Sequence, residues 1–406
     1  LRPLGIPTMK DRAMQALYLM ALEPVSETTA DTRSYGFRKE RCCMDAIQQC
    51  HNILRKGYSP EWILEGDIKG CFDHISHEWL LANIPMDKAI LRKWLKCGYV
   101  FNKQMFPTEE GTPQGGIISP TLANMTLDGL QKALADRYKR HHVNGKLYSP
   151  MVNLVRYADD FIIGVIGSKA DAEAIKKDVK IFLQKALKLE MSDTKTKVTH
   201  TGNRARFLGY DITVSRVQTL QKASNGRVQR CQTGVVKLYV PREKWVGKLI
   251  EYKAMKIKIN ENGKERFVAL HRGKLVNQSD IEILARYNAE VRGLYNYYAI
   301  ANDSFKIGRF ANLMKYSMYK TFACKYKTNV HEIKRRYCVG GLFTIAYDTR
   351  AGRKTTTFYR DGFKRKESAT KFDNVSELPQ FSKYAKTNTL KQRVERHTCE
   401  LCGKDC

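Results

Sequence analysis

The sequence predicts a protein of the α+β class, with a mixed first half and a largely helical second half. Up to about residue 212, short apolar runs of strand length alternate with stretches of helical periodicity. From residue 241 to 335, apolar residues recur at three- and four-residue spacing, as in Leu284, Tyr287, Val291, Leu294, Tyr295 and Tyr298. Because 406 residues are more than one core usually spans, two or three domains are expected.

The first half is predicted to contain both kinds of element. Helices are expected over residues 11–30, 77–81, 87–95, 120–130 and 170–187. Pro120 begins its helix after a glycine-rich loop, at a position where the fixed φ of proline is favourable. Strands are expected at 63–68, a run that carries Gly66 and Asp67, and at 207–210. Residues 154–165 are apolar on both sides of Asp159 and Asp160, which predicts two strands joined by a tight turn.

Two later segments lack a clear core face. Residues 215–234 are polar and basic, which predicts a loop. Residues 350–396 are basic and rich in threonine, with weak periodicity, which predicts a loosely packed segment that binds nucleic acid.

The charge of the chain indicates a polyanionic partner. There are 71 basic and 41 acidic residues, which give a net charge of +30. Such a field attracts nucleic acid and releases its counterions on binding. A ribosomal or chromatin protein, or a protein that binds acidic membranes, would show the same balance.

Asp67, Asp159 and Asp160 are candidate metal ligands. Nucleotidyl transfer uses two metal ions about 4 Å apart, one at the attacking hydroxyl and one at the leaving group. Mg²⁺ takes oxygen ligands, and only a few of them come from protein carboxylates. An Asp-Asp pair is more commonly an exposed turn. Here the apolar strands on both sides favour a functional site, and Asp67 ends another apolar strand.

Several motifs in a fixed order resemble the group II intron reverse transcriptase–maturases. The resemblance covers most of residues 1–340 and rests on blocks at Arg2–Pro7, Asp67–Asp73, Gly111–Gly116, Tyr157–Asp160, Ser192–Thr196 and Phe207–Tyr210. It implies a right-hand polymerase: an antiparallel palm sheet backed by helices, partial fingers, a helical thumb and a basic tail. The domains implied are fingers and palm at 1–215, a connector with a basic hairpin at 216–280, a thumb or maturase domain at 281–345, a DNA-binding segment at 346–396, and the start of an endonuclease at 397–406.

The resemblance also implies roles for individual residues. Asp67, Asp159 and Asp160 would hold two Mg²⁺ ions, together with the backbone carbonyl of Ile68. The residues implied to bind the nucleotide or template are Arg2, Phe72, Gln114, Gly115 and Lys195. Phe72 would select deoxynucleotides because its ring would clash with a ribose 2′-hydroxyl. Phe207, Leu208, Gly209 and Tyr210 resemble the primer grip. Each of these roles has a plain alternative. Phe72 could be an ordinary core phenylalanine, Lys195 an exposed surface lysine, and Phe207–Tyr210 a buried strand.

The last cysteines resemble the opening of an HNH endonuclease domain. Cys399, Cys402 and Cys406 are candidate zinc ligands, although they do not complete a tetrahedral set. Because motifs stand at both ends, we expect the chain to lack family segments on both sides, and we expect no endonuclease activity. The cysteine spacing and the absence of a long apolar run predict an intracellular protein, cytoplasmic in a bacterium or organellar in a eukaryote.

The resemblance implies an RNA-directed DNA polymerase that copies intron RNA into DNA during retrohoming and assists splicing. Its partners would be intron RNA, target DNA or primer, and deoxynucleoside triphosphates. Two alternatives stay open at the level of sequence. One is a maturase that only binds RNA, which the clustered carboxylates disfavour. The other is a reverse transcriptase of a CRISPR, retron or diversity-generating system, which the maturase-like helices disfavour.

Overall fold

A computed structural model describes residues 5–55, 60–113, 115–138, 141–143, 146–148, 151–215, 220–222, 225–230, 234–349, 352–360 and 362–366. The chain divides into two compact units between His200 and Thr201. Helices and strands are mixed in both units. In the described part of the chain, no helix combines the length and the apolar character needed to cross a membrane.

The first unit contains eight helices and eight strands among its described residues. The helices are α1 (Met9–Thr29), α2 (Cys43–Leu54), α3 (Cys71–His74), α4 (His77–Asn83), α5 (Lys88–Leu95), α6 (Ser119–Leu127), α7 (Leu130–Arg137) and α8 (Lys169–Leu187). The strands are β1 (Trp62–Asp67), β2 (Tyr99–Phe101), β3 (Gln104–Phe106), β4 (His141–Val143), β5 (Lys146–Tyr148), β6 (Met151–Tyr157), β7 (Asp160–Ile166) and β8 (Lys197–His200).

A four-stranded antiparallel sheet in the order β6-β7-β1-β8 organises this unit. Its central strands are the apolar runs of the sequence, with Ile63, Leu64 and Ile163 inaccessible to solvent. The Phe161 ring packs against Gly66. A Cβ at this position would lie 2.1 Å from that ring, so a larger residue would not fit without a shift. The sheet therefore places the carboxyl end of β1 beside the start of β7.

Helices cover the sheet as their periodicity predicts. In α8 the buried residues recur three or four apart, at Ala172, Ile175, Val179, Leu183 and Leu187. Ser168 and Asp171 form a capping box that fixes where this helix begins. The predicted helix from Pro120 to Leu130 is wrong in one respect: α6 ends before Asp128, and Gly129 in the left-handed region starts α7.

The second unit combines helices with hairpins. The helices are α9 (Arg242–Glu251), α10 (Asp280–Tyr298), α11 (Ile307–Lys325) and α12 (Val330–Tyr337). The strands are β9 (Ala205–Phe207), β10 (Tyr210–Val214), β11 (Leu220–Lys222), β12 (Val228–Arg230), β13 (Val236–Tyr239), β14 (Met255–Ile259), β15 (Glu265–Ala269), β16 (Cys338–Val339), β17 (Leu342–Thr349) and β18 (Gly352–Thr357).

Three expectations for this unit are wrong. The stretch 241–335 is not helical throughout, because β14 and β15 form a hairpin within it. Lysine and isoleucine alternate in β14, which is the two-residue period of a strand. The loop expected at 215–234 contains the pair β11–β12, and the loose segment expected at 350–396 contains β18, which pairs with the preceding β17.

The core of the second unit is built around α10 and α11. The α10 residues Leu284, Tyr287, Val291, Tyr295 and Tyr298 are buried, as their spacing predicts. The Tyr287 hydroxyl lies 2.9 Å from Ser317 Oγ and 3.0 Å from Thr321 Oγ1, so this buried phenol is satisfied. Arg272 and Glu290 form a two-point ion pair with nitrogen–oxygen distances of 2.6 and 3.0 Å.

Candidate active site

Asp67 and Asp160 lie directly opposite each other at one end of the four-stranded sheet β6-β7-β1-β8. Asp67 is the last residue of β1 and pairs with Asp160, the first residue of β7. Tyr157 also pairs with Asp160, so Ala158 and Asp159 form a two-residue turn between β6 and β7. The structure thus places the three predicted carboxylates at the same end of two adjacent strands.

Negative charge accumulates at this end of the sheet. Burial, together with the negative charges of Asp159 and Asp67, raises the pKa of Asp160 to about 6. A cation lies beside them: Lys195 Nζ donates to Asp67 Oδ2 across 2.9 Å. The Lys195 side chain is 65 % exposed, whereas that of Asp67 is 16 % exposed. A partly buried group of carboxylates that repel each other is an arrangement that a bound cation stabilises.

The carboxylate oxygens of Asp67, Asp159 and Asp160 are chemically suited to bind a hard divalent cation. Carboxylate oxygens on rigid strands are the ligands that Mg²⁺ uses. Among the described residues, however, no three His, Cys, Asp or Glu side chains are gathered closely enough to bind an ion as they stand. The backbone at Ile68, whose carbonyl the resemblance adds to the ligands, is fixed by a bridge to Met191 and by the bond from Ser192 N to Asp67 O at 2.8 Å.

A buried polar network supports the turn that carries Asp159. Ala158 has a φ of +54°, which is unfavourable for a residue with a Cβ. Arg156 Nη1 donates to the Ala158 carbonyl at 3.4 Å and to Asn124 Oδ1 at 3.2 Å. Arg156 Nη2 contacts Asp128 Oδ1 at 2.5 Å, and the guanidinium is almost inaccessible to solvent. Arg156 from β6, held by two side chains of α6 and its C-cap, thus supports this turn.

Gly36 packs against the same turn. A Cβ at Gly36 would lie 2.5 Å from Ala158 N, so only glycine fits without a shift. Asn124 Nδ2 donates to the Gly36 carbonyl at 2.7 Å. Ser34 and Arg156 form a parallel bridge, with Tyr35 N donating to Arg156 O at 2.9 Å.

Phe72 lies in the short helix α3 and is partly buried. Thr112 N donates to its carbonyl at 2.7 Å, and Gly111 N donates to Ile75 O at 2.8 Å. The glycine-rich loop is therefore anchored on α3. The rings of Phe72 and Phe37 meet edge to face, with centroids 5.9 Å apart.

The next part of the glycine-rich loop is held by α1. Gln15 is buried, and its Oε1 accepts from Ile117 N at 2.8 Å. Gly115 is exposed, with a φ of +109°. Gly115 therefore presents backbone rather than a side chain at the surface of this loop.

The predicted strand at 207–210 is a hairpin turn instead. Phe207 pairs with Tyr210, while Leu208 and Gly209 have φ values of +46° and +73°. Phe207 and Tyr210 are buried, as the plain strand alternative expected. Within the second unit, Tyr297 Oη donates to Leu208 O at 2.7 Å, and Tyr298 Oη donates to Gly209 O at 3.0 Å.

Some predicted site residues cannot be placed. Arg2, Gln114, Cys399, Cys402 and Cys406 lie outside the described residues, as does most of the basic segment 346–396. Their assigned roles stay predictions.

Sequence reasoning missed several residues that the structure brings to the site. Arg156 is a charged residue in a strand that is otherwise uncharged, and that signal could have found it. Asn124 follows the Gly111–Gly116 block, but the sequence assigned it no role. Asp128, Gly36 and Phe37 gave no signal, because their contacts depend on segments far apart in sequence.

Two families match the chain. The family described as reverse transcriptase (RNA-dependent DNA polymerase) matches residues 1–212, and the type II intron maturase family matches residues 233–393. The first match covers more than half of the chain, so the protein is a reverse transcriptase, an enzyme of the RNA-directed DNA polymerase class. Its fold class is that of the right-hand polymerases, as the sequence predicted.

Similar proteins show which kind of reverse transcriptase this chain is. The chain is 35 % identical to the group II intron-encoded protein LtrA of Lactococcus lactis subsp. cremoris, over 99 % of this chain and 75 % of that protein. It is 30 % identical to the putative COX1/OXI3 intron 1 protein of Saccharomyces cerevisiae, over 80 % of this chain and 45 % of that one. The chain therefore belongs to the group II intron-encoded reverse transcriptases and carries their maturase region. This sets aside the retron, CRISPR and diversity-generating alternatives.

Among solved structures, telomerase from Candida albicans bound to a fragment of telomeric RNA is similar at a TM-score of 0.40 and 12 % identity. The match covers 78 % of this chain and 49 % of that one. Apo telomerase from Candida tropicalis gives a TM-score of 0.36 and 14 % identity, with coverage of 82 % and 53 %. At these values the likeness adds nothing to the family assignment.

Proposed function

We propose that this chain extends a primer along intron RNA, with Asp67, Asp159 and Asp160 holding two Mg²⁺ ions and the carbonyl of Ile68 adding a ligand. The observation that carries this proposal is the opposition of Asp67 and Asp160 at the end of the palm sheet. When bound, the ions supply activation of the primer 3′-hydroxyl and neutralisation of the leaving pyrophosphate.

The chain's own residues bind and orient the nucleotide. Phe72 excludes a ribose 2′-hydroxyl, and the Gly115 backbone lies close to the base pair. Arg2 and Lys195 neutralise phosphate charge, a task for which the planar guanidinium of arginine is suited. Gln114 contacts the nucleotide, and Phe207–Tyr210 support the primer.

The RNA partner is the intron that encodes the protein. The net charge of +30 provides affinity for any nucleic acid, and the names of the relatives refer to introns. We assign the palm to residues up to 215, the thumb and maturase function to 281–345, and DNA contacts to the basic segment 346–396. Target DNA and deoxynucleoside triphosphates complete the set of partners, as retrohoming requires. Zinc at the C-terminal cysteines stays a prediction.

Primer extension on an RNA template tests the catalytic assignment. The variant with Asp159→Ala and Asp160→Ala should not incorporate nucleotides, yet it should retain RNA affinity. Asp193→Ala is the matched control, since Asp193 is an exposed aspartate paired with Lys180 in the same unit. If the double variant still extends primers at the wild-type rate, the metal-site assignment is wrong.

The maturase match supports splicing assistance as a second activity. This activity needs RNA binding but no metal-dependent chemistry in the palm. The double variant should therefore promote splicing of the intron as well as the wild type does. Higher salt should weaken RNA binding in both proteins equally, because phosphate contacts dominate affinity.

A further inference from the structure

Phe37 combines two features that are rare in one residue. It is a large aromatic side chain that is 58 % exposed, and its backbone has a φ of +57°. A bulky residue seldom adopts this left-handed conformation, and such outliers cluster at functional sites. A single exposed phenylalanine would be unremarkable on a protein surface. The backbone conformation is what requires a cause.

The neighbours of Phe37 impose that conformation. On one side, Gly36 is wedged against Ala158 N and its carbonyl accepts from Asn124 Nδ2 at 2.7 Å. On the other side, Arg38 is buried and paired with Glu27, and it donates to the Asp31 and Ser34 carbonyls at 2.9 and 3.1 Å. Both flanking residues are thus tied to the body of the first unit.

The ring that this backbone presents meets Phe72. The two centroids are 5.9 Å apart and the ring planes are 89° apart, which is the favourable edge-to-face arrangement. Phe72 is held through its backbone by Thr112 N, but that bond does not fix its side-chain torsions. Phe37 supplies a lateral contact to the ring itself.

We propose that Phe37 is a specificity-determining residue that holds the Phe72 ring against the sugar of the incoming nucleotide. The inference rests on the proposed role of Phe72 and extends it to a second residue. A steric gate discriminates only if its ring cannot turn away from a 2′-hydroxyl. The strained Gly36–Arg38 segment places Phe37 so that this rotation is blocked, and it links sugar selection to the same turn that carries Asp159.

Single-nucleotide incorporation on an RNA template tests the inference. The quantity measured is the ratio of kcat/KM for a deoxynucleotide to that for the matching ribonucleotide. Phe37→Ala should lower this ratio about tenfold, the scale of one lost apolar contact in a selective pocket. The conservative variant Phe37→Tyr, which keeps the ring edge, should restore it. Phe101→Ala is the control, because Phe101 is an equally exposed aromatic at 60 % in the β2–β3 hairpin, and its ratio should match the wild type.

Phe72→Ala separates this inference from the function on which it rests. If Phe72→Ala lowers the ratio and Phe37→Ala does not, the gate stands and the role of Phe37 is wrong. If Phe72→Ala leaves the ratio unchanged, the gate itself is wrong, and Phe37 has nothing to act on. An equal loss of activity toward both sugars in Phe37→Ala would show a merely structural residue. Should Phe37→Ala not fold, Phe37→Leu replaces it, and the same loss of ratio is expected because the ring edge is gone.

Discussion

Lys195 Nζ donates to Asp67 Oδ2 across 2.9 Å, so an ammonium stands beside a carboxylate that we assign to a metal ion. The two charges come from segments 128 residues apart in sequence. Asp160, which pairs with Asp67 across the sheet, and Asp159, whose charge acts on Asp160, add negative charge that a single lysine does not balance. A metal ion bound at this carboxylate, as we propose, would therefore compete with the ammonium for the same oxygen.

Replacing Lys195 with glutamine should strengthen Mg²⁺ binding to the protein without nucleotide. Because the lysine is 65 % exposed, the ion pair contributes no more than about 1 kcal/mol. The dissociation constant for Mg²⁺ should fall by at most about fivefold, as isothermal titration would measure. Lys180→Gln removes a comparable pair, with Asp193 at 2.7 Å, and should change nothing. Weaker Mg²⁺ binding in Lys195→Gln would contradict the competition.

Gly36→Ala should reduce nucleotide incorporation while leaving RNA affinity intact. The added Cβ would stand 2.5 Å from Ala158 N, so the Asp159 turn must shift. A displacement of reacting groups by about 1 Å can lower a rate about a hundredfold, and single-turnover extension would measure the loss. Gly247→Ala in α9 is the control, since nothing lies within 4 Å of its Cβ position. Equal incorporation rates in the two variants would show that Gly36 does not support the Asp159 turn.

The sequence could predict the carboxylates but not their supports. Residues 154–165 are mostly apolar on both sides of the turn, and a strand run ends at Asp67, so local patterns were sufficient for both. The direct opposition of Asp67 to Asp160 depends on the strand order, whereas the family resemblance implied only that the two residues share a metal site. The contact of Gly36 with Ala158 and the φ of Phe37 arise from packing between distant segments, for which a single sequence contains no periodicity.

Arg156→Met should destabilise the first unit by about 3–5 kcal/mol, because it leaves the buried Asp128 carboxylate without its cation. The free energy of unfolding in urea is the measurement, with an unchanged m-value as evidence that only stability changed. Arg137→Met is the matched control: Arg137 also pairs with an aspartate at 2.6 Å, but its side chain is 65 % exposed. Because that pair is exposed to solvent, its loss should change the free energy of unfolding very little. A similar loss of unfolding free energy in the two variants would show that burial does not determine how much each ion pair contributes to stability.

Asp128→Asn should change how stability depends on pH. Burial raises the pKa of Asp128 to about 6, and this effect outweighs the attraction of Arg156. The folded protein therefore holds the proton more tightly than the unfolded chain does. The favourable contribution is present below the ordinary aspartate range and is lost as the pH rises through about 6. Relative to Asp128→Asn, the wild type should lose unfolding free energy between pH 4 and pH 7. A gain of unfolding free energy between pH 4 and pH 7 would show that the pKa of Asp128 is not raised in the folded protein.

Tyr297→Phe and Tyr298→Phe should weaken primer binding, because these hydroxyls hold the carbonyls of the Leu208–Gly209 turn. Each hydrogen bond contributes about 1 kcal/mol, so the double variant should raise the KM for primer–template by about tenfold or more. The turn has two consecutive residues at positive φ, and without the two donors it is free to relax. Tyr316→Phe on α11 is the control, as it is a tyrosine of similar exposure, 40 % against 39 % for Tyr297. The readout is the KM for primer–template beside the KM for nucleotide. A loss in kcat with an unchanged primer KM would place the tyrosines in the packing of the second unit and not in support of the primer.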